Sequence, residues 1–462
     1  MPTISELQKQ FKDKKTTSSA ITQQCLEKIK KEDKKLNAFI STDEAKAMDK
    51  ANYADAILEK GDGEKLTGIP WACKDVICVK DYQTTASSKI LENYKPPYSA
   101  TVVKKLDECP LVGKTNCDEF AMGVSGENSA YGPTLNPHDH KHVPGGSSSG
   151  SAAAVASGEA VFALGTDTGG SVRLPASFCG IVGLRPTYGR ISRYGLISMA
   201  SSLDTVGILT QDVRDCAMVL QQIAGQDDLD STTTSNKVED YTKELEKNIK
   251  GMKIGIPKEY FEKSIKEIND AIKKFKKLGA KIVEVSLPHT KYAVATYYVI
   301  VDSEVSSNMA RFDGVKYGLQ VEGKNIEQTY EETRSIGFGD EVKRRIIMGT
   351  FALSAGYQDK YYHQAQKVRT LIKEDFDKVF NDVDILLTPT ATGTAFKLGE
   401  KKNDVLEMYL QDIFTAPSSL AGVCAISVPT GNKNGLPIGM QLIGPQFGET
   451  KILRAGFAFE NA

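Results

Sequence analysis

The chain has 462 residues, 40% hydrophobic and 25% charged, which is the composition of a globular protein long enough for one large core or two domains. A formal net charge of −1 gives no overall field for gathering nucleic acid, so any RNA contact must be local or belong to a partner. No run approaches the roughly 18 apolar residues of a membrane helix, and the eight cysteines contain no C-x-x-C pair, which reads as free thiols in a reducing compartment.

The opening MPTISELQKQFKDKKTTSSA carries Glu6 and Asp13 and no Arg, which fits an amphipathic first helix better than a transit peptide. Up to about residue 60 the spacing stays helical, with Ile21, Leu26, Ile29 and Leu36 near a 3.6-residue repeat. Short apolar runs then alternate with Gly/Ser/Pro-rich turns in GIPWACKDVICV, ECPLVGKTN, AVFALGTDTGG and FCGIVGLRPTYG. That alternation predicts an α/β fold with a central sheet and functional loops at strand ends; Ala160 to Leu164 reads as one of the buried strands. AGQDDLDSTTTSNKVED reads as a polar surface crossing, after which MKIGIPKEYF, INDAIKKFKKLG and KIVEVSLP repeat a strand–helix–strand pattern. Residues 296–380 read mainly as helix, and LLTPTATGTAF, CAISVPTG and IGMQLIGP as late strands. No internal repeat or low-complexity linker interrupts the chain. Residues 1–462 are therefore expected to form a single domain: N-terminal helices over 1–60, a core over about 61–240, and a C-terminal part over about 250–462.

A hydroxyl nucleophile needs a base, most often His, and the chain has five. Three of them, His138, His140 and His142, alternate in HDHKH, a spacing that could turn three imidazoles to one side of an extended segment. No Cys or carboxylate-rich motif accompanies them, so a polar loop is the better reading and no metal site is expected. There is no S-x-x-K, and VPGGSSSGSAAAVASG lacks the Gly-Lys-Ser/Thr of a phosphate loop. What remains is Lys74 in GIPWACKDV, where a cation is costly to bury, together with two serine-glycine stretches around Ser147 and Ser171.

Taken together, GIPWACKD, GGSSSGSA and GTDTGGSVRLPA resemble the amidase signature family across nearly the whole chain. The resemblance implies that family's fold, a central mixed β-sheet covered by helices on both faces. It implies Ser171 as acyl-enzyme nucleophile, Ser147 as a bridging serine after a cis peptide bond, and Lys74 as terminal base. A lysine base must be partly neutral, which burial away from carboxylates achieves, so Asp75 should point away from it. Thr168, Gly169, Gly170 and Ser171 match the oxyanion loop, where backbone N–H groups must converge without side chains crowding the substrate. Asp167, Arg173 and Ser148 match supporting positions. Ser149 departs from the family's usual glycine there, and a positive φ at that point would strain the loop.

Further stretches, among them NCDEFAMGVSGENSAYG, LRPTYGRISRYGL, SSLDTVGILT and EVKRRIIMGTFALSAGY, resemble one branch of that family, the glutaminase subunits of glutamyl-tRNA(Gln) amidotransferases. Free glutamine carries an α-carboxylate and an α-ammonium beside its amide, so a selective pocket needs a cation and an anion at opposite corners. Arg345, Asp412 and Tyr297, all in the C-terminal part, match the branch's substrate contacts, with Ser125 and Gly126 as further pocket lining. The implied reaction releases ammonia from glutamine for a GatB-type partner, which uses ATP and Mg²⁺ to convert Glu-tRNA(Gln), with a small GatC- or GatF-type third component. No cofactor is expected in this chain and no membrane insertion. The wording of TATGTAF and VSGENSAYG favours a mitochondrial matrix version over one from bacterial cytoplasm. The competing expectations are a stand-alone amidase on small or aryl amides and a scaffold protein with a decayed site.

Overall fold

The computed structural model describes residues 1–261, 265–401 and 403–462. Its eleven strands are β1 (Phe39–Ser41), β2 (Trp71–Lys74), β3 (Leu111–Thr115), β4 (Phe162–Asp167), β5 (Val182–Arg185), β6 (Thr205–Thr210), β7 (Lys253–Pro257), β8 (Lys281–Val285), β9 (Ile385–Pro389), β10 (Ala425–Lys433) and β11 (Leu436–Ile443). They form one mixed sheet in the order β1-β3-β2-β4-β6-β5-β10-β11-β9-β7-β8. β2 lies parallel to both β3 and β4, β7 lies parallel to β8 and β9, and the remaining pairs are antiparallel. Every residue of β2, β4, β5, β6, β9 and β11 is buried, as strands sandwiched by helices on both faces require. The edge strand β8 keeps none of its residues fully covered.

Local chemistry accounts for the element boundaries. The helix Ser18–Leu36 starts at Thr17, whose side chain accepts from the Ala20 N–H, and ends at Asn37 in the left-handed region, a conformation Asn tolerates. That reversal sends Phe39–Ser41 back along β3, so the helical reading of residues 1–60 is interrupted by a short strand. The AVFAL strand is shifted, running Phe162–Asp167 rather than from Ala160. The β10–β11 hairpin closes through Asn434 and Gly435, both at positive φ, the two-residue turn that matches strand twist. The strand–helix–strand reading after residue 252 holds: β7 and β8 are parallel neighbours joined by the helix Lys266–Lys277.

Two buried helices matter most for the site. Ser149–Ser157 is built from Ser, Gly, Ala and a single Val, small enough to lie close against neighbouring backbone. A Cβ on Gly150 would stand 2.2 Å from the Ala38 carbonyl oxygen. Arg173–Cys179 follows Ser171 closely and is buried throughout. Both serine-glycine stretches thus feed rigid, covered helices. Ser149 takes helical rather than positive φ and its Oγ donates to Thr134 Oγ1 at 3.2 Å, so the departure from glycine causes no strain there.

Candidate active site

Lys74 ends β2 and is completely buried. Its Nζ donates to Ser147 Oγ at 2.8 Å, Thr166 Oγ1 at 2.9 Å and Ser148 Oγ at 3.0 Å. Among the described residues no carboxylate pairs with it. Burial pushes its pKa down from 10.5 to about 8, only partly offset by the more distant charges of Asp118, Asp167 and Asp204. Asp75 does point away: successive strand residues face opposite sides of a sheet, and Asp75 pairs with Lys114 at 3.1 Å and accepts from Thr85.

The same alternation organises β4. Thr166 faces Lys74, while Asp167 faces the other way and meets two buried arginines. Asp167 accepts from Arg173 Nε at 2.9 Å and Nη2 at 2.8 Å. Burial would raise its pKa, but Arg173 and Arg185 hold it down at about 2. Arg173 also donates to Gln441 Oε1 at 2.6 Å, Ser418 Oγ at 2.7 Å and Ser419 Oγ at 2.8 Å. It therefore ties the loop after β4 to β11 and to the helix Ala416–Ala421.

In that loop Thr168 Oγ1 donates to Asp204 Oδ1 at 2.7 Å. The N–H groups of Gly169, Gly170 and Ser171 donate to no described residue, and Ser171 Oγ likewise has no partner among the described residues. Ser148 N donates to Ser171 O at 3.0 Å, which docks the two serine stretches on one another. Ser171 Oγ and Ser147 Oγ are not joined by a hydrogen bond. The structure adds a reason of its own for the two glycines. A Cβ on Gly169 would strike Tyr297 Cζ at 2.5 Å and one on Gly170 would strike Thr415 Oγ1 at 2.2 Å, so the protein's own pocket wall excludes side chains there.

The Gly146–Ser147 peptide bond is cis. Ser125 and Gly126 brace it: a Cβ on Gly146 would lie 2.9 Å from either N–H nitrogen and 2.0 Å from Asp118 Oδ2. Asp118, absent from the sequence reading, gathers the N–H groups of Gly126 and Asn128 at 3.0 and 2.9 Å. Ser125 and Gly126 thus stand against Gly146, the residue before Ser147.

Tyr297 and Asp412 flank this loop, and Arg345 lies close enough to act on the charge of both. Tyr297 packs its ring tip against Gly169, and Asp412 Oδ1 lies 3.3 Å from a Cβ position on Gly170. Asp412 Oδ2 accepts from Tyr298 at 2.9 Å, and burial lifts its pKa to about 6. Arg345 Nε donates to Glu341 Oε1 at 2.8 Å, one helical turn earlier. Its guanidinium lies 5.1 Å from the Tyr298 ring centre. Beside it opens a cavity of ≈ 560 Å³ walled by Tyr298, Arg345, Tyr409, Val124 and Asn128; Lys74, Ser147 and Ser171 lie outside that wall. Among the described residues no salt bridge joins Arg345 to Asp412, the two Arg345 η-nitrogens have no hydrogen bond, and Asp412 Oδ1 accepts none. The histidines go elsewhere, His138 onto the Cys179 carbonyl and His142 onto Asp139, each at 2.9 Å.

Thr166, Asp118, Tyr298 and Glu341 escaped the sequence reading. Strand alternation from Asp167 could have found Thr166, and the i to i+4 step could have found Glu341. Tyr298 acts on Asp412, far along the chain, and Asp118 gathers a nearby loop that has no regular repeat, so neither left a periodic signal.

The Amidase family model matches residues 20–453. A glutamyl-tRNA(Gln) amidotransferase component from Geobacter metallireducens is 55% identical over 100% of this chain and 97% of its own length. The crystal structure of the same component from Thermotoga maritima superposes with a TM-score of 0.79 at 46% identity, covering 95% of this chain and 90% of that one. The peptide amidase of Stenotrophomonas maltophilia superposes with a TM-score of 0.86 at 30% identity, covering 99% and 96%. With this sheet order, this lysine–serine cluster and a match over almost its full length, the chain belongs to the amidase signature family.

Proposed function

We propose that the chain is the glutaminase component of a glutamyl-tRNA(Gln) amidotransferase, hydrolysing glutamine to glutamate and ammonia. Ser171 Oγ attacks the side-chain amide carbon, and its proton passes through Ser147 to a neutral Lys74. The N–H groups at Thr168 to Ser171 receive the developing oxyanion. Ammonia leaves with a returned proton, and water releases glutamate from Ser171 by the same relay. Ser148, Asp167 and Arg173 hold the two loops in register. One observation carries the substrate reading: Arg345 and Asp412 are buried opposite charges that leave two η-nitrogens and one carboxylate oxygen open beside the loop. An α-carboxylate and an α-ammonium satisfy both, with Tyr297 between them and the bond to be broken.

The ammonia serves a GatB-type partner that holds the ATP, Mg²⁺ and Glu-tRNA(Gln), with a small GatC- or GatF-type protein beside it. The relatives are named as single components of a larger amidotransferase, which supports that division of labour, and no described helix is long and apolar enough to cross a membrane. The bacterial sources of these relatives favour bacterial cytoplasm over the mitochondrial matrix. The single continuous sheet supports reading the chain as one domain.

The test is ammonia release from glutamine and from propionamide by wild type, Ser171→Ala and Arg345→Ala, assembled with the partner proteins. Ser171→Ala should lose both activities while external ammonium still supports amidation. Arg345→Ala should lose on the order of 2–4 kcal/mol in kcat/KM on glutamine and far less on propionamide. Unchanged glutamine hydrolysis in Arg345→Ala would return the stand-alone amidase to first place.

A further inference from the structure

Asp412 and Arg345 are opposite charges, both buried, so little water screens their attraction. Left to themselves they would close on one another and cancel the complementarity a zwitterionic head group needs. Tyr298 stands between them. Its hydroxyl donates to Asp412 Oδ2 at 2.9 Å, and its ring centre lies 5.1 Å from the Arg345 guanidinium. Its ring also stacks on Tyr409, centroids 3.8 Å apart and planes 11° apart. Tyr409 Oη in turn donates at 2.9 Å to Glu341 Oε1, the oxygen that accepts from Arg345 Nε. Asp412, Tyr298, Tyr409, Glu341 and Arg345 therefore form a continuous chain of contacts from one charge to the other. Tyr297, at right angles to Tyr298 with centroids 5.0 Å apart, faces the loop before Ser171 instead.

We propose that Tyr298 is a specificity-determining positioning residue: its hydroxyl and ring hold Asp412 and Arg345 apart and aimed to receive an α-amino acid head group. The proposal rests on the glutamine reading above and adds the device that makes the pocket select amino acids over simple amides. Tyr298 touches neither the attacking oxygen nor the proton relay.

The hydroxyl also favours the ionised form of Asp412, as a donor to a carboxylate must. The groups acting on Asp412 are Tyr297 and Tyr298 from the helix Ala293–Asn308, Arg345 from the helix Asp340–Leu353, Asp167 from β4 and Arg173 from the helix that follows it. Removing the Tyr298 donor leaves the others in place and raises the Asp412 pKa. An α-ammonium needs the carboxylate, so the lower acidic limb of kcat/KM for glutamine, below the step that Lys74 sets and that propionamide shares, moves to higher pH.

The experiment compares wild type, Tyr298→Phe and Tyr298→Leu in the assembled complex, on glutamine and on propionamide, across pH. Tyr298→Phe should raise KM for glutamine about tenfold with kcat within about twofold, shift the acidic limb upward, and leave propionamide unchanged. Tyr298→Leu, which also removes the spacer, should weaken glutamine further and still spare propionamide. Equal losses on both substrates, or an unmoved KM and acidic limb in Tyr298→Phe, would overturn the proposal while leaving the glutaminase reading intact. A wild-type complex that cleaves propionamide but not glutamine would overturn both.

Discussion

A lysine enclosed by hydroxyls rather than carboxylates is poised to lose its proton. Lys74 has three hydroxyl partners, from Ser147, Ser148 and Thr166, and, among the described residues, no ion pair, and a pKa of about 8 leaves about one molecule in ten neutral at pH 7. If the neutral amine is the base, kcat/KM for glutamine should rise with pH and level off above about 8, because deprotonation creates the active form. Lys74→Met keeps the methylenes and removes the amine, so a fall of about 10²–10⁴-fold is expected with the circular dichroism spectrum unchanged. A flat wild-type profile between pH 6 and 9 would contradict the lysine assignment. Lys74, its partial neutrality and the turning away of Asp75 were all expected from the resemblance, whereas Thr166 beside its amine was not, since only the pairing of β2 with β4 brings that hydroxyl there.

At the level of elements, β4 and the loop after it depend on one carboxylate. Asp167 is the counter-charge for both Arg173 and Arg185, all three without solvent exposure. Removing one member of a buried ionic group strands the others, at a cost of about 3–5 kcal/mol. Asp167→Asn should lower the urea midpoint accordingly with an unchanged m-value, whereas the same change at the exposed Asp13 should do almost nothing. The sign with pH follows from a folded pKa of about 2 against the ordinary aspartate value of 3.8. This contribution is full above 3.8 and disappears as pH falls through 2. Here the helical and extended periodicities located most elements, and they failed where tertiary pairing decided: Phe39–Ser41 became a strand because β3 offers it an edge.

At the scale of the molecule, the chain ends meet at an acidic junction. The helix Ile4–Lys12 abuts the start of the helix Val213–Ile223, where Asp215 Oδ2 accepts from the Ile4 N–H at 2.8 Å, and Glu460 from the last helix accepts from the Val213 N–H at 3.0 Å. Burial, reinforced by Asp212, raises Asp215 to about 7; burial, with Asp212 and Asp215, raises Glu460 to about 8. Groups with raised carboxylate pKa values hold protons in the folded state that the unfolded chain has released, so stability should fall as pH climbs from about 4.5 to 8. Glu460→Gln keeps an acceptor for Val213 and removes the charge. Its Tm should exceed that of wild type at pH 8, and the difference should vanish near pH 4. An equal difference at both values would mean the carboxylate is not the source.

By itself the sequence determined the element types along most of the chain, the α/β class and the three motifs around Lys74, Ser147 and Ser171, because periodicity and glycine-rich turns are written locally. It also pointed to Arg345, Asp412 and Tyr297 by resemblance. Only the tertiary structure decided why Gly169 and Gly170 must be glycines, that Asp118 braces Gly146, and that Tyr298 separates the two pocket charges. Each of those depends on atoms brought together from segments tens to hundreds of residues apart, and such distances are set by the sheet order rather than by any run of adjacent residues.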